Sequence, residues 1–138
     1  MSYLFPSLEW ANAYMQALNT DEGYARAGAT WEGDLNFVIE GVPGHAANPV
    51  IYLDMWHGKC RGVGFTDEAG MKPAAFRINS SLANWKKVIN KQMGPIPGMV
   101  SGQLRVHGNL PYILRHVASA TAMVECVGRV PTQFPDEA

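Results

Sequence analysis

The first stretch of the chain carries apolar side chains at helical intervals. Between residues 7 and 19 they recur every three or four positions, which places them on one face of a helix. Ser7 stands directly before this stripe, where its hydroxyl can cap the helix N-terminus. Acidic residues at 21 and 22 open a second short helix that we expect to end near Gly28. The stripe of the first helix consists of Leu8, Ala11, Met15 and Leu18.

The period of the pattern changes to that of a strand after the second helix. In the segment 35–40, every second side chain is a large apolar one, as in a strand that presents one face to a core. A second strand is predicted at 49–58 and a third at 72–79. The glycine-rich segment 61–71 between them is predicted to be a turn or a short excursion at the sheet edge. Three strands in succession with short connections indicate an antiparallel meander.

A third helix is predicted over residues 82–93. Ser80 and Ser81 stand before it as N-cap candidates, and the glycine and proline residues at 94–98 should end it. Its lysines fall on the polar side, which we expect to face solvent. Its apolar side contains Leu82, Trp85, Val88 or Ile89, and Met93.

The segment 99–127 predicts a short strand followed by a helix. Leu104 and Val106 alternate with polar residues, which is typical of a half-buried strand. Asn109 stands at an N-cap position, and Pro111 lies in the first turn, where its missing N–H costs nothing. We expect one continuous helix from there to the end of the segment, with one stripe facing the sheet. That stripe contains Leu110, Ile113, Leu114, Val117, Thr121 and Val124.

The order of these elements, ααβββαβα, indicates an α+β fold with a mainly antiparallel sheet covered by helices. A chain of 138 residues is long enough to bury one hydrophobic core, so we expect a single domain over 1–138. Its core should span about residues 8–127. The tail 128–138 contains two prolines and two acids, and we expect it to fray.

Composition and charge exclude several classes of partner. A net charge of −1 and the lack of a basic cluster argue against binding to nucleic acid or to an anionic membrane surface. No apolar run approaches the roughly 20 residues that span a bilayer, so we expect no integral membrane segment. The N-terminus lacks the basic and apolar regions of a secretory signal, and the two cysteines form no metal or disulfide motif. We therefore expect a cytoplasmic protein.

No group of residues forms a convincing catalytic or metal site. The four histidines are not paired at ligand spacing, so we predict no metal and no cofactor. Cys60 with His57 is the one nucleophile candidate, since Lys59 and Arg61 beside the thiol would lower its pKa. A thiol without a chemical role explains the same residues, and we predict that the protein is not an enzyme.

The segment around residue 102 resembles a known family. Gly102, Leu104, Val106, Gly108 and Asn109, which lead into an apolar helix, resemble the motif of the sterol carrier protein 2 family of lipid-binding domains. The resemblance extends over about residues 8–127, although Asn109 stands where an acid is commoner. It implies a sheet of about five strands, backed by helices, with a hydrophobic tunnel between sheet and helices. Family members bind fatty acyl chains, sterols, phospholipids or isoprenoid quinones without chemistry of their own.

We therefore predict a soluble carrier of an apolar ligand. The large content of tryptophan, tyrosine, phenylalanine and methionine fits either an ordinary core or one loosened into a cavity. The alternative is a module without a ligand, whose apolar face pairs two subunits in a homodimer. The predicted wall of the tunnel consists of Phe76, Ile78, Leu104, Val106, Ile113, Leu114 and Val117. The predicted lid consists of Trp85, Ile89 and Met93.

Overall fold

A computed structural model describes residues 2–137 of the chain. It contains a five-stranded sheet with helices packed against one face, and a separate two-stranded ribbon that joins the two ends of the chain. The strands are β1 Tyr3–Leu4, β2 Leu35–Glu40, β3 Pro49–Trp56, β4 Lys59–Asp67, β5 Phe76–Ser81, β6 Arg105–His107 and β7 Thr132–Gln133. The helices are α1 Leu8–Asn19, α2 Glu22–Ala27, α3 Leu82–Ile89, α4 Pro95–Val100, α5 Leu110–Leu114 and α6 Val117–Val127.

The main sheet has the order β4-β3-β2-β5-β6 and is mostly antiparallel, as predicted. Its one parallel pair joins β2 to β5, with Leu35 opposite Phe76. The meander is present, but its third strand is β4 rather than β5. The segment 61–71, predicted to be a turn or a short excursion at the sheet edge, forms most of the edge strand β4 and then a turn after Asp67. The glycines of β4 lie inside this edge strand, where a small side chain is tolerated.

Local capping signals position three of the helices as the sequence predicts. The Ser7 hydroxyl accepts a hydrogen bond from the Trp10 amide at 3.0 Å and caps α1. Ser81 caps α3 in the same way through the Asn84 amide, at 3.1 Å. The Asn109 side chain accepts from the Tyr112 amide at 3.1 Å and caps α5. Each cap satisfies one of the amides that a helix start leaves without an intrahelical partner.

The predicted helix after Asn109 is in fact two helices, α5 and α6. The His116 imidazole donates from Nδ1 to the Tyr112 carbonyl at 2.8 Å, while the His116 amide bonds to Ile113 instead. The carbonyl that would continue the helix is therefore occupied by a side chain, and the helix axis turns at this point. A single helical phase cannot extend across such a corner.

The prediction of a frayed tail was wrong for residues 128–137. Strand β7 pairs in parallel with β1, and the amides of Tyr3 and Phe5 donate to the carbonyls of Pro131 and Gln133 at 2.9 and 2.8 Å. Phe134 is buried and its ring meets the Phe5 ring edge-on. Pairing between residues about 130 positions apart leaves no local signal in the sequence.

The hydrophobic core lies between the sheet and helices α1, α3 and α6. Two large aromatic side chains within it have their polar atoms satisfied: Tyr14 Oη donates to the Met123 carbonyl at 2.7 Å, and Trp85 Nε1 donates to the Val38 carbonyl at 3.0 Å. These bonds fix the distance of α1 and α3 from their neighbours. Among the described residues, no helix has both the length and the apolar character needed to cross a bilayer.

Candidate functional site

An apolar cavity lies between the inner face of the sheet and the helices. Leu35, Phe37 and Ile78 line it from the sheet side, and Trp85, Ile113 and other helical side chains close it from above. The empty space within its envelope totals about 760 Å³, counting the open region at its mouth. The part that the centre of a water molecule can enter is about 80 Å³. The fold therefore encloses space in the layer where a solid core would otherwise continue.

Five of the residues predicted to bind a ligand meet at this cavity. They come from strand β5, helix α3, the strand entrance before β6, and helix α5, which are far apart in the sequence. Their convergence results from the order of strands, since β5 and β6 are neighbours in the sheet. These five residues are Ile78, Trp85, Ile89, Leu104 and Ile113.

Three further predicted residues lie next to the cavity rather than along it. Phe76 is buried, but its ring stacks on Tyr112 and meets Trp31 at a tilt, in an aromatic cluster beside the cavity. Val106 is half-buried opposite Ile78 in the sheet register. Met93 belongs to a second depression that shares Pro95 and Val124 with the cavity. Placement at the margin suits a lid position for Met93.

Two predicted wall residues point away from the cavity. Leu114 is 38% exposed and Val117 is 43% exposed, so neither forms part of the inner stripe. For Val117 the cause is the same as for the predicted single helix, because the corner at His116 changes the phase of the helix that follows. Leu114 precedes this corner, and on α5 the side chain that is buried is that of its neighbour Ile113. The cavity-lining side chains of α6 instead recur every three or four residues, as expected for a separate helix that begins at residue 117. They include Ala120, Met123, Val124 and Val127.

The N-terminal segment supplies cavity residues that the sequence did not assign to a ligand. Trp10 and Tyr14 lie one helical turn apart on α1 and line the cavity together with Phe5. Their helical spacing was visible in the sequence, but the same spacing is typical of a core stripe. Only the enclosed space distinguishes the two roles here.

The lining has almost no polar character. It includes no aspartate, glutamate, lysine, arginine or histidine, and apart from Tyr14 its one hydroxyl belongs to Ser119. Burial raises the pKa of Tyr14 well above its usual range, so this phenol is neutral at physiological pH. An environment of this kind favours hydrocarbon and disfavours any ionised group that lacks a partner.

The thiol candidate does not have the geometry of a nucleophile. Cys60 is buried and its thiol donates to the Gly62 carbonyl, with a sulfur–oxygen distance of 3.4 Å. Burial raises the pKa of this thiol to about 11, so the expectation that neighbouring basic residues lower it was wrong. His57 lies at the surface, where its ring contacts Glu32 at 2.6 Å. Within residues 2–137, no three or more potential metal ligands gather at one place.

Comparison with known proteins decides the family. The sequence model of the SCP-2 sterol transfer family matches residues 12–118, which is more than half of the chain. The chain belongs to this family. No curated protein matches it in sequence. The match includes the segment around Gly102 on which the resemblance rests, and it ends shortly after the α5–α6 corner.

Several solved structures are similar to this chain over most of its length. A crystal structure of sterol carrier protein 2 is similar over 90% of this chain and 97% of the other, with 31% identity and a TM-score of 0.81. A conserved hypothetical protein from Thermus thermophilus, suggested to be a sterol carrier protein, is 31% identical with a TM-score of 0.82, over 92% of this chain and 90% of its own. A protein named for ubiquinone synthesis shares the fold at 19% identity and a TM-score of 0.51, over 86% of this chain and 93% of the other. The α+β architecture predicted from the sequence is confirmed.

Membership of the sterol transfer family makes this a lipid-binding or lipid-transfer domain. Domains of the family are carriers and are generally not enzymes. The buried, high-pKa thiol and the uncharged cavity agree with such a role, since neither offers an activated nucleophile or a general base.

Proposed function

We propose that this protein carries an apolar ligand inside the cavity between the sheet and helices α1, α3 and α6. The observation that supports the proposal is a partly enclosed space lined by hydrocarbon and aromatic side chains without one charged residue. Fatty acyl chains, phospholipids, sterols and isoprenoid quinones all have a hydrocarbon surface that such a lining can cover. Family membership favours this carrier function over a ligand-free homodimer.

Burial of hydrocarbon alone supplies useful affinity. Each buried methylene contributes about 0.8 kcal/mol, so about ten methylenes supply about 8 kcal/mol before ordering costs. A dissociation constant of about 1 μM corresponds to a similar free energy of about 8.2 kcal/mol. Because ordering costs reduce this gain, micromolar binding requires a chain of more than about ten methylenes.

The cavity must widen when a ligand enters. Its space for water centres, about 80 Å³, is several times the roughly 10–15 Å³ that one water needs, but it is small for a whole lipid. Met99 and Met123 line it, and the unbranched thioether side chain of methionine repacks at low cost. We propose that these two side chains move aside for the ligand.

The five predicted residues at the cavity are our proposed ligand contacts, together with Trp10 and Tyr14. The depression that contains Met93 is the proposed entrance, because it shares Pro95 and Val124 with the cavity. The two free, buried cysteines suit the reducing cytoplasm, which is our proposed compartment.

A pair of substitutions on one helix tests whether the ligand occupies the cavity. Ala120 lines the cavity, whereas Ala118 is exposed on the other side of α6. We expect the Ala120→Phe ring to fill the space and exclude the acyl chain. The affinity for a fluorescent fatty acid should therefore fall at least about tenfold. Ala118→Phe adds the same ring outside the cavity and should bind like the unaltered protein.

Circular dichroism of both variants would show that the fold is retained. Equal binding by the two variants would place the ligand elsewhere on the molecule. Failure of acyl, sterol and quinone competitors to displace the probe from the unaltered protein would contradict the carrier function itself.

A further inference from the structure

Ser119 places a hydroxyl group in the apolar lining of the cavity. The residue is 1% exposed, and its Oγ has no hydrogen-bond partner among the described residues. Tyr14, the other hydroxyl in the lining, already donates to the Met123 carbonyl. A buried hydroxyl without a partner loses its hydration and gains no bond in return, so the empty protein bears an unfavourable contact here.

A second hydroxyl lies behind the first. Tyr24 is fully buried on α2, and its Oη also makes no hydrogen bond among residues 2–137. Burial raises the pKa of Tyr24 to about 12, and the nearby Ser119 hydroxyl partly opposes this rise. The two groups are therefore neighbours whose geometry falls short of a bond. One oxygen atom placed in the cavity could bond to Ser119 and let Ser119 turn toward Tyr24.

The lining determines what kind of oxygen can lie there. An ionised carboxylate or phosphate would need a cation, and the cavity lining contains no lysine, arginine or histidine. A hydroxyl or carbonyl group carries no charge and needs only one or two hydrogen-bond partners. The site suits a neutral oxygen and excludes an ionised one.

On the basis of the proposed carrier function, we propose that Ser119, with Tyr24 behind it, binds a neutral hydroxyl or carbonyl oxygen of the lipid. The ligand then lies with this oxygen inside the protein, and Ser119 determines specificity for oxygen-bearing neutral lipids over plain hydrocarbons. Fatty acids, whose carboxylate is ionised, must lie with the opposite end inward.

A pair of ligands with the same number of heavy atoms tests this role. Dodecanol and tridecane, delivered from cyclodextrin, compete with a fluorescent lipid for the unaltered protein, Ser119→Ala and Ser119→Thr. We expect Ser119→Ala to weaken dodecanol about tenfold, the effect of a hydrogen bond of about 1.4 kcal/mol, and to leave tridecane unchanged. Ser119→Thr keeps the hydroxyl and should retain the preference for dodecanol.

The unfolding midpoint of the ligand-free Ser119→Ala variant is the second measurement. We expect it to equal or exceed that of the unaltered protein, because the variant removes a polar group without a partner. A clearly lower midpoint would show that the hydroxyl is bonded within the protein and would overturn the proposal.

Equal losses for both ligands in Ser119→Ala would also overturn it, while leaving the carrier function intact. Failure of both ligands to compete for the unaltered protein would instead count against the carrier function. The two failures are therefore distinguishable.

Discussion

Cys60 and Cys126 carry the two thiols of the chain, and both are buried. Positive neighbours in the sequence suggest an activated Cys60, yet in the fold the thiol faces the core while Arg61 pairs with Asp54 at 3.0 Å. Burial outweighs the neighbouring charges because removal of water penalises the thiolate directly. At the scale of one residue, the direction of the side chain decides its chemistry.

Labelling of the thiols tests this conclusion. A pKa raised from 9.0 to about 11 lowers the thiolate fraction of Cys60 about a hundredfold near pH 8, and burial adds a barrier to access. We expect an aromatic disulfide reagent to label native Cys60 at least about a hundred times more slowly than the urea-unfolded chain. Peptide mapping identifies the labelled thiol, and rapid labelling of native Cys60 would contradict its burial.

Helix α2 is short, and its start depends on one carboxylate. Asp21 accepts a hydrogen bond from the Tyr24 amide at 2.9 Å, and its other oxygen lies 3.5 Å from Arg129. The bond from the Tyr24 amide is the largest cause that lowers the pKa of Asp21 below its ordinary 3.8. Because Tyr24 lies behind Ser119, this cap also holds the proposed polar end of the cavity in place.

The cap makes a prediction about acid stability. A lowered pKa means that the Asp21 carboxylate stabilises the fold above the ordinary value, and that this contribution is lost as the pH falls through the folded value. Asp21→Asn keeps a capping oxygen but cannot titrate in this range. Urea unfolding between pH 6 and pH 2 should therefore show a smaller loss of stability in the variant. An identical acid slope in both proteins would contradict the role of this carboxylate.

On the scale of the whole molecule, the closing contact joins the two ends of the chain. Phe134 contacts Phe5 edge-on, with ring centroids 6.1 Å apart, and Phe5 in turn lines the cavity. The segment predicted to fray therefore supports one wall of the cavity. A contact between distant parts of the chain contributes to stability only once the rest has folded.

Removal of the Phe134 ring should lower the stability of the protein. We expect Phe134→Ala to lower the free energy of unfolding by about 3–5 kcal/mol, because it leaves a cavity beneath a buried ring. Phe65→Ala is the matched control, since Phe65 is 37% exposed and its loss should cost less than about 1 kcal/mol. Urea titration measures both. Similar costs for the two variants would mean that the tail is not packed as described.

Much of the fold could be predicted from local signals. The strands β2 and β3 and the caps at Ser7 and Ser81 each depend on a few adjacent residues, and all four are confirmed. In β2 both faces are buried rather than one, since Asn36 and Val38 are also covered. The corner at His116 could not be predicted, since it depends on an imidazole competing for one carbonyl. As a result, Val124 is the one α6 residue of the predicted stripe that lines the cavity, whereas Val117 and Thr121 do not.

The cavity itself was beyond the sequence pattern for a related reason. Trp10, Ile78 and Ile113 belong to segments whose convergence depends on the strand order and on the parallel β2–β5 pair. An apolar stripe that fills a core and one that surrounds a cavity have the same period. The resemblance around Gly102 predicted the tunnel where periodicity could not.

The β1–β7 ribbon also determines how the molecule responds to tension. Its strands are parallel, so a pull on the two ends of the chain loads the hydrogen bonds of Tyr3 and Phe5 in shear. These bonds lie outside the main sheet and take the load before it does. Since Phe5 is both an end of the ribbon and a wall of the cavity, stretching the chain would release that wall while the five-stranded sheet remains intact. Tension on the β1–β7 ribbon would therefore open the cavity on the side that Phe5 lines.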